Sequence, residues 1–143
     1  MGMLRLSSVV EIDSAHYLKD YDGKCANLHG HRWKVEVILE GRPDELDGAG
    51  MVCDFGVVKE ILKRYDHAII VKDTDVEEFK GLDLGILDSM IEVDFNTTAE
   101  NLSVHWAEEI MLELLHRGLK AKVKEVRVWE TPNNLVTYFP DKE

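Results

Sequence analysis

The sequence predicts one α+β domain whose elements run β-β-α-α-β-β, and three observations carry that prediction. Residues 31–41, HRWKVEVILEG, alternate apolar and charged side chains with the period of a half-buried strand. Residues 97–118, TTAENLSVHWAEEIMLELLHRG, place Ala99, Leu102, Trp106, Ile110 and Leu114 on one helical face. Near the end, KVKEVRVWE and LVTYFP alternate again and are joined by TPNN, the pattern of a β-hairpin.

The other elements follow in order. Residues 3–13, MLRLSSVVEID, mix β-branched and polar positions and read as a strand that leads to His16. RPDELDGAG is a turn-rich loop, and MVCDF is a short extended segment ending where Asp54 can cap a helix. Val57, Val58, Ile61, Leu62 and Tyr65 form a helical stripe, so the spacing predicts a helix over 55–65 with Asp66 and His67 at its exit. Residues 71–96 are acidic, broken by glycine and weakly periodic, and predict a loop with short ordered pieces. Thr97 with Glu100 has the spacing of a capping box for the long helix. His116, Arg117 and Gly118 supply cations in its last turn and a glycine stop.

With 143 residues, 45% of them hydrophobic, the chain can build one core, and 1–143 is read as a single domain with no internal repeat. A net charge of -11 argues against duplex nucleic acid or anionic membrane as a partner, since both need clustered Lys and Arg. No stretch approaches the roughly 18 to 20 apolar residues of a membrane span, and MGMLRLSS lacks the apolar core of a signal peptide, so a cytoplasmic protein is expected. Cys25 and Cys53 are too few for a disulfide framework and are expected as thiols. A small anionic ligand remains compatible with the charge, because Lys19, Lys24, Arg32 or a metal could hold it.

The chemistry concentrates in KCANLHGHRW, residues 24–33. Side chains two apart on a strand point the same way, so His29 and His31 can aim at one point, with Gly30 between them letting the backbone come close. His16, just past the first strand, could add a third imidazole. Three neutral imidazoles with an open fourth position suit a catalytic zinc ion; Cys25 in the fourth position would instead close the site. Spacing alone also allows solvent-facing histidines that do nothing together. Free cysteine is most often a small buried hydrophobe, the reading given to Cys53 in apolar GMVCDF; against it, Cys25 lies in a polar, glycine-bearing loop where a nearby metal or Lys24 would favour the thiolate. In Asp66-His67 the carboxylate could orient the imidazole for acid–base work, although adjacent residues seldom bond directly. Glu130 shares the strand parity of Val126 and Val128, so it faces the core if they do and then needs a partner. Two parallel N–H donors of a 2-amino-4-oxo pyrimidine, an arginine, or a bulge turning it outward would each answer that need.

In order along nearly the whole chain, DSAH ending at His16, CANLHGH at 25–31, VCDF at 52–55, YDHAII around 66–67, NTTAENL at 96–102 and VWET with Glu130 together resemble the 6-pyruvoyltetrahydropterin synthase and 6-carboxytetrahydropterin synthase family. The resemblance implies the tunnelling fold, an antiparallel sheet with two helices on one face, assembled as a homo-oligomer. That assembly is a hexamer, a dimer of trimers, with the active site at a subunit interface. It implies that His16, His29 and His31 bind zinc, that Cys25 is the general base, and that Asp66 and His67 form a second acid–base pair supplied by a neighbouring subunit. Glu130 would anchor the pterin ring, with Thr98 adding hydrogen bonds. Three residues between Cys25 and HGH look like the carboxy branch, which converts 7,8-dihydroneopterin triphosphate to 6-carboxy-5,6,7,8-tetrahydropterin, acetaldehyde and triphosphate on the route to queuosine or archaeosine. The acidic segment 71–96 is longer than that branch leads one to expect, and DVEEF and LDSM are read as a solvated surface insert.

Overall fold

The structure, a computed structural model, describes residues 2–82 and 89–142. Six strands form one sheet in the order β4-β3-β1-β2-β5-β6: β1 (Leu4–His16), β2 (His29–Gly41), β3 (Ala68–Lys72), β4 (Met90–Val93), β5 (Lys122–Thr131) and β6 (Asn134–Tyr138). From β1 to β6 the pairing is antiparallel, as the alternating segments predict. The α+β class holds, but the β-β-α-α-β-β order is short by two strands. β3 joins β1 in parallel at Ser14 and Ala15, and β4 joins β3 in parallel, so the sheet is mixed rather than wholly antiparallel. The reason is local: AIIVK is a continuous apolar run without alternation, as befits a strand covered on both faces, and so gives no period-two signal.

Alternation decides which face of the sheet is covered. Val10 and Ile12 of β1, Trp33, Val35, Val37 and Leu39 of β2, and Val126 and Val128 of β5 are buried together. Against them pack α1 (Gly56–Leu62), through Val57, Val58, Ile61 and Leu62, and α3 (Ala99–His116), through Leu102, Trp106, Ile110 and Leu114. Each such aliphatic side chain contributes roughly 1.5–3 kcal/mol by leaving water. The opposite face carries charge in cross-strand pairs, Asp13 with Arg32 and Glu36 with Arg127.

Helix boundaries refine the expectations. The predicted helix over 55–65 is α1 followed by a 3₁₀ turn, Lys63–Tyr65. Asp54 does meet its first turn, accepting from the Gly56 amide at 2.7 Å. The cap of α3 is Thr98, not Thr97: Thr98 Oγ1 accepts from the Asn101 amide at 3.1 Å, while the Thr97 hydroxyl donates to the Tyr17 carbonyl. Gly118 stands at φ +70 and the Leu119 amide reaches back to the Leu114 carbonyl, a glycine-stopped helix end.

Residues 71–82 hold short ordered pieces as expected, a 3₁₀ turn (Asp73–Asp75) and α2 (Val76–Lys80). Asp75 is 3% exposed, held by the Tyr17 hydroxyl at 2.6 Å and Lys19 Nζ at 2.9 Å, and Phe79 stacks on Tyr17. The DVEEF stretch is therefore docked on the segment after His16 rather than solvated, because its one buried carboxylate finds two donors there. Leu87 and Asp88 of LDSM lie outside the described residues.

Candidate metal centre and active site

His16 ends β1 and His29 begins β2, and the antiparallel register sets them opposite each other, with Ser14 opposite His31. All three side chains emerge on the helix-covered face, with ring centroids 4.6, 4.8 and 5.2 Å apart. Their candidate ligand atoms lie within 4.8 Å of one another. A Cβ at Gly30 would meet Ser14 O at 3.8 Å, ordinary contact, so close backbone approach within the chain is not what that glycine provides.

The far side of two rings is fixed by the main chain. His16 Nδ1 lies 2.7 Å from the Thr97 carbonyl and His29 Nδ1 lies 2.6 Å from the Asn27 carbonyl. A carbonyl only accepts, so each Nδ1 carries the proton and each Nε2 keeps a lone pair. The Nε2 atoms of His16, His29 and His31 are all buried without a protein hydrogen-bond partner. Burial above all, with the two neighbouring imidazoles adding to it, lowers the His16 pKa to about 4 against the Thr97 bond that favours the cation. Burial likewise lowers His31, against the pull of Glu130. Three imidazoles turning unpartnered Nε2 atoms to one point could together hold a metal ion. Trp33 floors the cluster, its ring 4.8 Å from His16 and its Nε1 donating to the Ser14 carbonyl at 3.2 Å.

Glu130 falls where β5 and β6 slip register, between Trp129 and Thr131, yet the bulge does not turn it outward. Its carboxylate stands 3.5 Å from His31 Nε2 and 4.0 Å from His16 Nε2. The pairing of β2 with β5 ends at Lys34 and Trp129. Beyond that point a cleft of about 440 Å³ opens, lined by Glu11, His31, Arg32, Lys34, Trp129, Glu130, Thr131 and Pro132. Lys34 Nζ sits over the Trp129 ring at 4.7 Å. Of the cations considered for an anionic ligand, Lys19 is engaged by Asp75 and Arg32 by Asp13.

Cys25 is half-buried in a 3₁₀ turn, Lys24–Ala26, whose Cys25 carbonyl accepts from the Leu18 amide at 2.9 Å. The turn is thus fastened two residues after His16. The converging ligand set is the three histidines without Cys25. Cys53 is 1% exposed in the core, as its apolar setting predicts.

Asp66 and His67 stand on the turn before β3. Asp66 Oδ1 accepts from the Asp13 amide at 2.7 Å, and Oδ2 lies 3.1 Å from His67 Nδ1. Adjacent residues achieve this because His67 adopts φ +58. The Asp13 amide chiefly, opposed by burial and helped by His67, holds the Asp66 carboxyl below its usual range. The His67 side chain is 80% exposed and lines an open cleft of about 430 Å³ with Asp13, Gly30, His31 and Arg32. Thr98, half-buried at the N-terminus of α3, follows the residue whose carbonyl holds His16. Sequence reasoning missed those carbonyls, Thr97 and Asn27, since a main-chain acceptor leaves no mark in residue type.

A mixed sheet with helices on one face and, at its end, three histidines that could hold a metal ion is the arrangement that the site and fold define. Residues 5–141 match the 6-pyruvoyl tetrahydropterin synthase family, and the chain belongs to it. A 6-carboxy-5,6,7,8-tetrahydropterin synthase from Haemophilus influenzae is 32% identical over 147 residues, covering 95% of this chain and 99% of that one. One of the same name from Rickettsia bellii is 30% identical over 139 residues, covering 94% and 99%. The solved structure of Caenorhabditis elegans 6-pyruvoyl tetrahydropterin synthase superposes with a TM-score of 0.65 at 26% identity, covering 99% of this chain and 98% of that one. At the family level the chain is a tetrahydropterin synthase, and its tunnelling fold agrees with the resemblance read from its motifs. Among the described residues no helix is long and apolar enough to cross a membrane.

Proposed function

We propose that the chain is a zinc-dependent 6-carboxy-5,6,7,8-tetrahydropterin synthase, a carbon–carbon lyase acting on 7,8-dihydroneopterin triphosphate in the cytoplasm as one domain, in the synthesis of queuosine or archaeosine. The observation that carries the reading is the set of three unpartnered Nε2 atoms converging beside Glu130 at the mouth of a cleft. Zinc bound by His16, His29 and His31 would supply Lewis-acid stabilisation of charge on the substrate's side-chain oxygens. Cys25 takes the proton from the side-chain carbon. Asp66 orients His67 through Nδ1, and His67 moves the second proton at its Nε2. Glu130 accepts two parallel N–H bonds from the amino-pyrimidine edge, and Thr98 adds a hydrogen bond at the ring.

An exposed His67 serves such a site when a neighbouring chain presents it. The free edges support that assembly. Beyond Ser14 and Ala15, β1 has no strand on its outer side among the described residues, and β6 ends the sheet. Exposed Leu4, Val9, Leu135 and Phe139 lie on or beside these edges. Joining β1 of one copy to β6 of the next buries both and closes a trimer, two of which make the hexamer.

The carboxy product is favoured by the three residues separating Cys25 from His29 and by the names of the curated relatives. Incubating the zinc-loaded protein with dihydroneopterin triphosphate and analysing products by mass spectrometry tests it. Carboxytetrahydropterin with acetaldehyde is expected; pyruvoyltetrahydropterin without aldehyde would move the chain to the other branch, and absence of any pterin turnover would leave a non-catalytic binding protein.

A further inference from the structure

Away from the histidine cluster, Glu109 of α3 accepts from three donors: the Tyr65 hydroxyl, the Arg64 guanidinium, and His105 Nε2 at 2.7 Å. Tyr65 is 3% exposed, edge-on to Trp106 at 5.4 Å between centroids, and Trp106 is edge-on to Trp33 beneath the histidines. Burial opposes the Glu109 charge, but the bonds from His105 and Tyr65 outweigh it and keep the carboxyl below its usual range. An ionised carboxylate with three donors is a fixed point on a rigid helix.

What it fixes is the turn that carries Asp66 and His67. Tyr65 closes the 3₁₀ turn immediately before them. A histidine at φ +58 persists only where surrounding bonds hold it. On the far side the turn is held by Asp13 of β1, whose amide donates to Asp66 and whose carbonyl accepts from the His67 amide at 2.6 Å. On the near side the Tyr65 and Arg64 bonds to Glu109 tie it to α3. The turn is clamped between a strand and a helix, with Asp66 and His67 projecting from the clamp.

We propose that Tyr65 and Glu109 are positioning residues that set the aim of the Asp66–His67 pair; the inference rests on that pair acting as the acid–base group proposed above. Neither side chain belongs to the metal centre or the cleft. Releasing the clamp should therefore lower kcat by about 10- to 100-fold through misaligned proton transfer, leaving KM and zinc content unchanged.

The test is steady-state turnover of dihydroneopterin triphosphate by the zinc-loaded full-length protein, followed as either pterin product. It compares wild type with Tyr65→Phe, Glu109→Gln, His67→Ala and the double variant Tyr65→Phe/His67→Ala. Each of the first two removes a bond with little change of volume. The proposal expects both to lose kcat alone, and Tyr65→Phe to add nothing once His67 is gone. Wild-type kcat in both single variants would overturn it, as would Tyr65→Phe slowing the His67→Ala protein by the same factor as wild type, since that is a general structural effect. Wild-type turnover by His67→Ala would instead refute the acid–base role of the pair itself.

Discussion

The two ends of β1 and β3 hold histidines in opposite circumstances. In the cluster His16 is 1% exposed and its Nδ1 is spent on a main-chain carbonyl, so its only free atom is the lone pair turned inward. On the β3 turn His67 is 80% exposed, its Nδ1 is spent on a neighbouring carboxylate, and its free nitrogen is turned outward. What the far nitrogen bonds to decides what the near one can do. A carbonyl beneath a buried ring leaves the inward nitrogen free to face a metal ion, and a carboxylate beneath an exposed ring leaves the outer nitrogen free to carry a proton.

Breaking the cluster should have the largest effect. His29→Ala removes one of three ligands and is expected to weaken metal binding beyond the roughly 100-fold that losing only an outer hydrogen bond costs, read as zinc per chain after dialysis. Full zinc retention would mean the imidazoles do not act together. Breaking the proton-transfer groups should leave zinc in place and still stop chemistry: His67→Ala on the outward side and Cys25→Ala beside the cluster are each expected to lose about 10²–10⁴-fold in kcat. Metal analysis alongside kinetics separates the two regions.

Glu130 stands across the cluster from the β3 turn, and its substitution sharpens the distinction. Glu130→Gln should weaken pterin binding by about 1.5–3 kcal/mol with zinc retained, measured by titration with the reduced pterin. Unchanged affinity would assign the carboxylate to His31 instead. The smallest effect concerns pH. Because the Glu109 carboxyl is held below its ordinary value of 4.5, the folded chain binds fewer protons there than the unfolded one. The stability it contributes is present above about pH 4.5 and lost as pH falls through the lower folded value. Urea midpoints of wild type and Glu109→Gln should therefore differ at pH 7 and converge as the medium is acidified, and a gap that widened in acid would contradict the clamp.

How much of this was legible in the sequence follows the same division. Strand alternation put His29 and His31 on one side, and the pairing of two consecutive strands brought His16 opposite His29. Strand parity likewise placed Glu130 at the cluster, and the bulge that the pattern left open as a way of turning it outward is present without doing so. The capping threonine was misplaced by one residue, because Thr97 and Thr98 offer the same hydroxyl and only the fold spends Thr97 on Tyr17. The parallel strands β3 and β4 left no periodic signal, and the docking of Asp75 depends on donors 56 and 58 residues away. The Asp66–His67 bond needs a left-handed histidine, a backbone state that residue type does not announce.

The proposed assembly has one chain's His67 complete another chain's cluster. The direct measurement is turnover after Cys25→Ala and His67→Ala chains, each inactive alone, are unfolded together and reassembled. Recovered activity in the mixture is the predicted result, since hybrid oligomers then contain sites with an intact thiol from one chain and an intact imidazole from the next. Mixed oligomers that form and stay inactive would contradict it and place both groups in a site of a single chain.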